Sequence, residues 1–166
     1  ACHSDQALKM LSEEPQNEVD MHLYKEILGA IPYSTNEVVL HTDTSVLPER
    51  PLAWASWNYE IEGAKAEASR PAAVTYNMNI LQRLKSDTTF CVTLNNTQAI
   101  SPDKVLGTYY YAHPQFSPKM VSAQERREEI CGQDGIHFCG AYWYNGFHED
   151  GLRSALDVCK RFGESL

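Results

Sequence analysis

Nowhere in its 166 residues does this chain place two glycines one residue apart. Without a G-x-G, the tight turn that cradles a dinucleotide pyrophosphate cannot be built from these residues. Cations are also scarce: 14 Lys and Arg stand against 22 Asp and Glu, for a net charge of −8. Phosphate backbones are bound by clustered Lys and Arg, so this balance argues against nucleic acid as a partner. The one basic doublet, Arg126-Arg127, runs into Glu128-Glu129 and reads as a solvated helix face. No apolar run is long enough to span a bilayer, and no signal peptide opens the sequence. There is no G-x-S-x-G elbow and no cysteine set by sequence beside a basic partner, so a nucleophilic hydrolase has no support.

The five cysteines (Cys2, Cys91, Cys131, Cys139 and Cys159) are odd in number and include no C-x-x-C pair. Cys139 and Cys159 fall on apolar positions and read as buried free thiols, which places the chain in a reducing, cytoplasmic setting. His148-Glu149 begins like a zinc motif, but Leu152 stands where H-E-x-x-H needs its second histidine. His41-x-Asp43 is too common a pattern to name a metal. No metal site is expected.

What the sequence does contain is a change of period. Ser4 or Asp5 can cap a helix carrying Ala7, Leu8 and Leu11, and Pro15 suits the first turn of a second helix that runs to about Gly29. From Asn36 the pattern turns to strands: Glu37 to His41, Leu52 to Ile61, Ala72 to Met78, Thr89 to Leu94 and Val105 to Ala112. Residues 63–70 form a charged, alanine-rich connector. Trp57, Tyr59 and Tyr76 alternate as core or cross-strand aromatics. Strands in succession without long intervening helices argue a largely antiparallel sheet. Helical spacing returns at Ser117-Pro118 with Met120, Val121, Gln124, Arg127 and Ile130, and ends near Gly132. The fold class is α+β. Three regions follow: helical residues 1–35, a β-rich domain 36–116, and a helix, strand and helix over 117–166.

The most informative stretch is His137 to Leu152. It reads as a short buried strand, an aromatic turn punctuated by Gly140 and Gly146, and a helix whose apolar face holds Leu152, Ala155, Leu156, Cys159 and Phe162. A strand that enters a helix through glycines brings backbone N–H groups to a helix N-terminus, where an anion can sit. Glu149 and Asp150 fit the first helical turn as partners of the helix dipole and would repel a phosphate. Their side chains are expected to turn away from any pyrophosphate and to accept ribityl or backbone hydrogens.

Phe138-Cys139-Gly140-Ala141-Tyr142-Trp143 followed by Gly146-Phe147-His148-Glu149-Asp150-Gly151 resembles the carboxy-terminal signature of a family of FAD-binding, amine-oxidase-like proteins. The resemblance continues through Ala1 to Ala7, Asn36 to Thr44, Ala53 to Tyr59 and Val74 to Asn79, and so covers most of the chain in one order. Tyr144-Asn145 stands where relatives commonly carry Gly-Tyr. The family opens with a strand, a G-x-G-x-x-G loop and a helix that hold the FAD pyrophosphate. The resemblance therefore implies a carboxy-terminal portion: a substrate domain with the terminal strand and helix of an incomplete FAD-binding domain. It implies that Gly140, Ala141, Gly146, Phe147, His148, Glu149, Asp150 and Gly151 face the flavin, and that Trp143 and Tyr144 border the substrate. It singles out no catalytic residue. FAD is the implied cofactor of the complete protein, and the implied partner is the missing amino-terminal FAD-binding region. The competing readings are a non-catalytic α+β interaction module and one chain of a split flavoenzyme. Apolar surface left on the opening and closing helices would drive self-association.

Overall fold

In the computed structural model the described residues are 2–13, 21–60 and 73–165. Their helices are α1 (Ser4–Glu13), α2 (Met21–Leu28), α3 (Met78–Leu81), α4 (Pro118–Glu125) and α5 (His148–Lys160). Their strands are β1 (Tyr33–His41), β2 (Trp57–Glu60), β3 (Ala73–Asn77), β4 (Cys91–Leu94) and β5 (Val105–Pro114). The start expected for the second helix at Pro15 and the connector at 63–70 lie outside the described residues. The chain divides into two compact units, one of residues 35–113 and one of 1–34 with 114–166. Helices and an antiparallel sheet segregate along the sequence, as an α+β fold requires.

In the first of these units the strands form one sheet in the order β2-β3-β4-β1-β5. The β2–β3, β3–β4 and β4–β1 pairings are all antiparallel. Val39, Thr93 and Thr75 stand opposite one another across three strands, and so do Trp57, Tyr76 and Val92. Alternation then divides the sheet into two faces. Val39, His41, Thr75, Asn77, Cys91 and Thr93 are buried on one face, and much of that row is polar. The other face carries Trp57 and Tyr59, which are 54% and 60% exposed.

Those exposures correct the reading of Trp57 and Tyr59 as core. Strand β2 lies at the sheet edge, so among the described residues no strand flanks its outer side. The cross-strand pairing holds, with the Trp57 and Tyr76 rings edge-to-face at 5.5 Å. The strand expected from Leu52 starts only at Trp57. Pro51–Ala53 is a 3-10 turn with Pro51 in its first turn. Trp54 Nε1 donates to the Pro48 carbonyl at 2.8 Å, and the Asn58 side chain bonds both backbone groups of Ala55. These local bonds take backbone groups a ladder would have used.

The other unit packs α1, α2 and α4 around Tyr24, Ile27, Leu28, Met120 and Ile130, with Phe138, Tyr142 and Trp143 joining from the later chain. Ser117 caps α4 by accepting from Met120 N at 3.2 Å, with Pro118 in the first turn, as the sequence anticipates. Helix α5 corrects an expectation. Its buried residues are Asp150 and Ser154, while Leu152 and Phe162 of the apolar stripe are 48% and 65% exposed and Cys159 is exposed. All five thiols are free; Cys91 and Cys131 are buried, whereas Cys139 is only partly so. Among the described residues, no helix is long and apolar enough to cross a membrane.

Candidate functional site

The aromatic turn is held from three sides. On the first, residues 136–139 run extended into Gly140 but join no ladder, so the strand expected here lacks a strand partner among the described residues. On the second, Gln124 of α4 donates from Nε2 to the carbonyls of both Tyr142 and Tyr144 at 2.8 Å, fixing the 3-10 turn Ala141–Trp143 from outside. On the third, Ser154 of α5 accepts from Gly140 N at 2.8 Å and donates to Gly151 O at 2.9 Å. A polar seam thus attaches α5, beside the half-buried Ala155 and Leu156 of the stripe and the Phe162 ring at 5.0 Å from His137.

Arg127 sits at the centre of that seam, 7% exposed. Its Nη2 donates to the carbonyls of Phe138 and Ser154 at 3.0 and 2.8 Å, and Nη1 lies 3.3 Å from Asp157 Oδ2. The guanidinium stands 5.4 Å from the centroid of the Trp143 ring, within cation–π range. Placing Arg127 on a solvated face was therefore wrong, although Arg126 does lie outward, paired with Glu26 and Glu129. The signal was present in the sequence: Arg127 shares a helical stripe with Met120 and Ala123, both buried.

Trp143 fills the core against Tyr142 and is 3% exposed, with its buried Nε1 lacking a hydrogen-bond partner among the described residues. Tyr144 is half-buried, donates its hydroxyl to Asp157, and carries Arg153 at 4.1 Å over its ring. The hydrogen bond to the Asp157 carboxylate raises the Tyr144 phenol above its ordinary value. Gly140 is required by its own neighbours, because a Cβ there would meet Tyr142 Cε1 at 2.3 Å and the Cys2 carbonyl at 3.1 Å. Gly146 adopts φ +86, a left-handed conformation that favours glycine. Gly151 differs, since a Cβ there would meet only Ala141, at an ordinary 4.0 Å.

Asp150 turns back on the turn. Its Oδ2 accepts from Asn145 N at 3.1 Å and from Phe147 N at 3.0 Å, closing half of a capping box. The N-cap itself is Phe147, which has no acceptor, so no N-cap side chain covers the first-turn amides of α5. Phe147, His148 and Glu149 are exposed beside this end of the helix, and Ala141 and Gly151 are half-buried. The arrangement offers a 13-residue helix dipole, an N-terminus without a hydrogen bond from its N-cap side chain, and a small-residue floor. Those features fit a neutral carbonyl that gains negative charge better than a phosphate. Asp150 already places a carboxylate there.

His41 and Asp43 are occupied structurally. His41 Nε2 bonds Thr93 Oγ1 at 2.8 Å, and Thr93 in turn meets Thr75 Oγ1 at 2.8 Å. Asp43 N donates to His41 Nδ1 at 3.1 Å, so Nε2 carries the proton. Burial holds the His41 imidazole below its ordinary pKa. For Asp43, burial pushes upward, but the amides of Ser101 and Ser45 and the Lys104 ammonium hold its carboxyl well below the usual range. Among the described residues, no group of three or more His, Cys, Asp or Glu could hold a metal ion. No family model matches the chain, and no curated protein matches it.

Proposed function

We propose that the chain is the carboxy-terminal part of an FAD-dependent, amine-oxidase-like oxidoreductase, contributing a substrate domain and the turn that faces the flavin. The observation that carries the reading is the start of α5, where the N-cap side chain makes no capping hydrogen bond, beside Ala141 and Gly151 in the motif Gly146 to Gly151. FAD, when bound, would supply the acceptor for the hydride of a C–H bond, while the C–N or C–C bond beside that carbon becomes double and a proton leaves the neighbouring atom. The chain's own part is orientation and electrostatics. The first-turn amides turn the positive end of α5 outward, a dipole effect of roughly 0.3–1 kcal/mol for an exposed anionic group and up to about 2 when partly buried. Asp150 keeps the turn closed by holding two amides, and Gln124 fixes the carbonyls that flank Trp143. Gly151 leaves room at the floor that any side chain would take.

The partner in this reading is the FAD-binding region that carries the pyrophosphate loop, on the same polypeptide or on a second chain. The exposed Leu152 and Phe162 support a covering partner over the α5 stripe. Five free thiols support the cytoplasm as the compartment.

The test separates the two ends of the cofactor. With isotopically labelled protein, riboflavin at millimolar concentration is expected to shift the amide resonances of Gly146 to Gly151, and ADP is not. Shifts from ADP alone, or from neither compound, would refute the reading. Tight FAD binding by this chain without a partner would overturn its incompleteness.

A further inference from the structure

Residues 136–139 have the backbone of a strand and the hydrogen bonds of only one side of it. Ile136 has φ −92 and ψ 129, and Gly140 has φ 165 and ψ 157, so the segment is extended at both ends. Successive peptide groups of an extended chain face alternate sides. On one side the Phe138 carbonyl accepts from Arg127, and the Gly140 amide donates to Ser154. On the other side lie the N–H and C=O of His137 and Cys139. Among the described residues, none of these groups has a hydrogen-bond partner. A groove of about 180 Å³ runs beside them, lined by Ala7, Met10 and Leu11 of α1 and by Phe138 and Tyr142.

We propose that this edge is a docking site for a β-strand from another polypeptide segment, whose alternate apolar side chains fill the groove. The backbone groups decide the class of occupant. Donors and acceptors repeat on residues two apart, about 6.6 Å along the chain, which is the repeat of a strand ladder. A helix has spent its own backbone groups and cannot answer them. Main-chain pairing supplies affinity in such strand addition, while pockets for alternate side chains supply selectivity. A second copy of this chain is the weaker occupant, because it would set a net charge of −8 against −8. In the flavoenzyme reading the docking strand belongs to the half that carries the pyrophosphate loop. The proposal rests on that reading only for the strand's owner, since edge and groove stand without a flavin.

The probe is a nine-residue peptide, blocked at both ends, alternating valine and threonine between terminal lysines. Hydrogen exchange at the His137 and Cys139 amides is expected to slow about tenfold or more when it docks, with the Phe138 amide unchanged. Met10→Glu, at an exposed position on the groove, is expected to weaken docking at least about fivefold. Cys139→Pro removes an edge N–H and is expected to abolish docking. If that variant misfolds, Met10→Glu carries the test. No protection at millimolar peptide would overturn the proposal. So would protection that rises with protein concentration in the absence of peptide, since a second copy would then be the occupant. Riboflavin shifts at α5 are read in the same spectra. Peptide docking without them sinks the flavin reading and leaves the edge; the reverse sinks the edge alone.

Discussion

Arg127 Nη2 donates at 2.8 Å to the carbonyl of Ser154, 27 positions later in the chain. Through this one bond and its companions to Phe138 and Asp157, a buried cation ties the 3-10 turn Arg127–Glu129, which follows α4, to α5 and to the aromatic turn between them. The turn's geometry therefore depends on a residue well outside the sequence motif.

Removing that cation takes a donor from the buried carbonyls of Phe138 and Ser154, while the Asp157 carboxylate keeps the Tyr144 hydroxyl and Lys160. Arg127→Ala is expected to destabilise the fold by about 1–3 kcal/mol, the cost of leaving a buried acceptor short of its donor. Arg127→Lys should recover only part of this, since an ammonium cannot reproduce the planar fork. Arg126→Ala, one residue away but solvated, should leave the unfolding midpoint close to that of the parent. Urea denaturation followed by tryptophan fluorescence reads all three. A mild Arg127→Ala would refute the central role given to the seam.

Two glycines of the motif should respond in opposite ways. Gly140→Ala drives a Cβ into the buried Tyr142 ring and is expected to cost about 1–3 kcal/mol by overpacking. Gly151→Ala meets nothing closer than 4.0 Å and removes a glycine from a helix, so it should stabilise by up to roughly 1 kcal/mol. The same Gly151→Ala change should reduce the riboflavin-induced shifts, because the added methyl takes the floor of the proposed site. Unchanged shifts in a stabilised variant would show that Gly151 faces no ligand.

Acid should weaken the sheet unit in two stages. The folded pKa of His41 lies below its unfolded value of about 6.5. Its neutral form therefore favours the fold above that pH, and the contribution is lost as pH falls from there toward the folded value. Asp43 has its folded pKa depressed below the ordinary carboxylate value of 3.8. Its contribution is complete above that value and disappears as pH falls through the more acidic range. Stability measured against pH in urea should follow both stages, and Asp43→Asn should remove the more acidic one. A His41 ring that titrates at or above 6.5 in the folded protein would contradict the first stage.

The α+β class and most of the sheet were legible because β3 and β4 alternate cleanly between their two faces. The edge strand β2 was not, because Trp54 to Ser56 continue the alternation while Pro51 and Asn58 bend the backbone away from the ladder. The α5 stripe of Leu152, Leu156 and Phe162 is a real pattern, but periodicity reports amphipathicity and not which side is covered. At the site, charge named backbone amides among the possible partners of Asp150 but not which amides they are. Gln124 could not be found that way, since its role depends on carbonyls 18 and 20 residues further on.

The buried row of His41, Thr93 and Thr75 bears on how the sheet assembles. A slip of two residues between β3 and β4 would keep every side chain on its proper face, so an aliphatic row would scarcely object. Here it would set Thr75 against Cys91 or Asn95 and separate it from Thr93. Each hydroxyl left buried without its partner costs about 1–3 kcal/mol. The polar row therefore acts as a proofreader, rejecting alignments that hydrophobicity alone would accept.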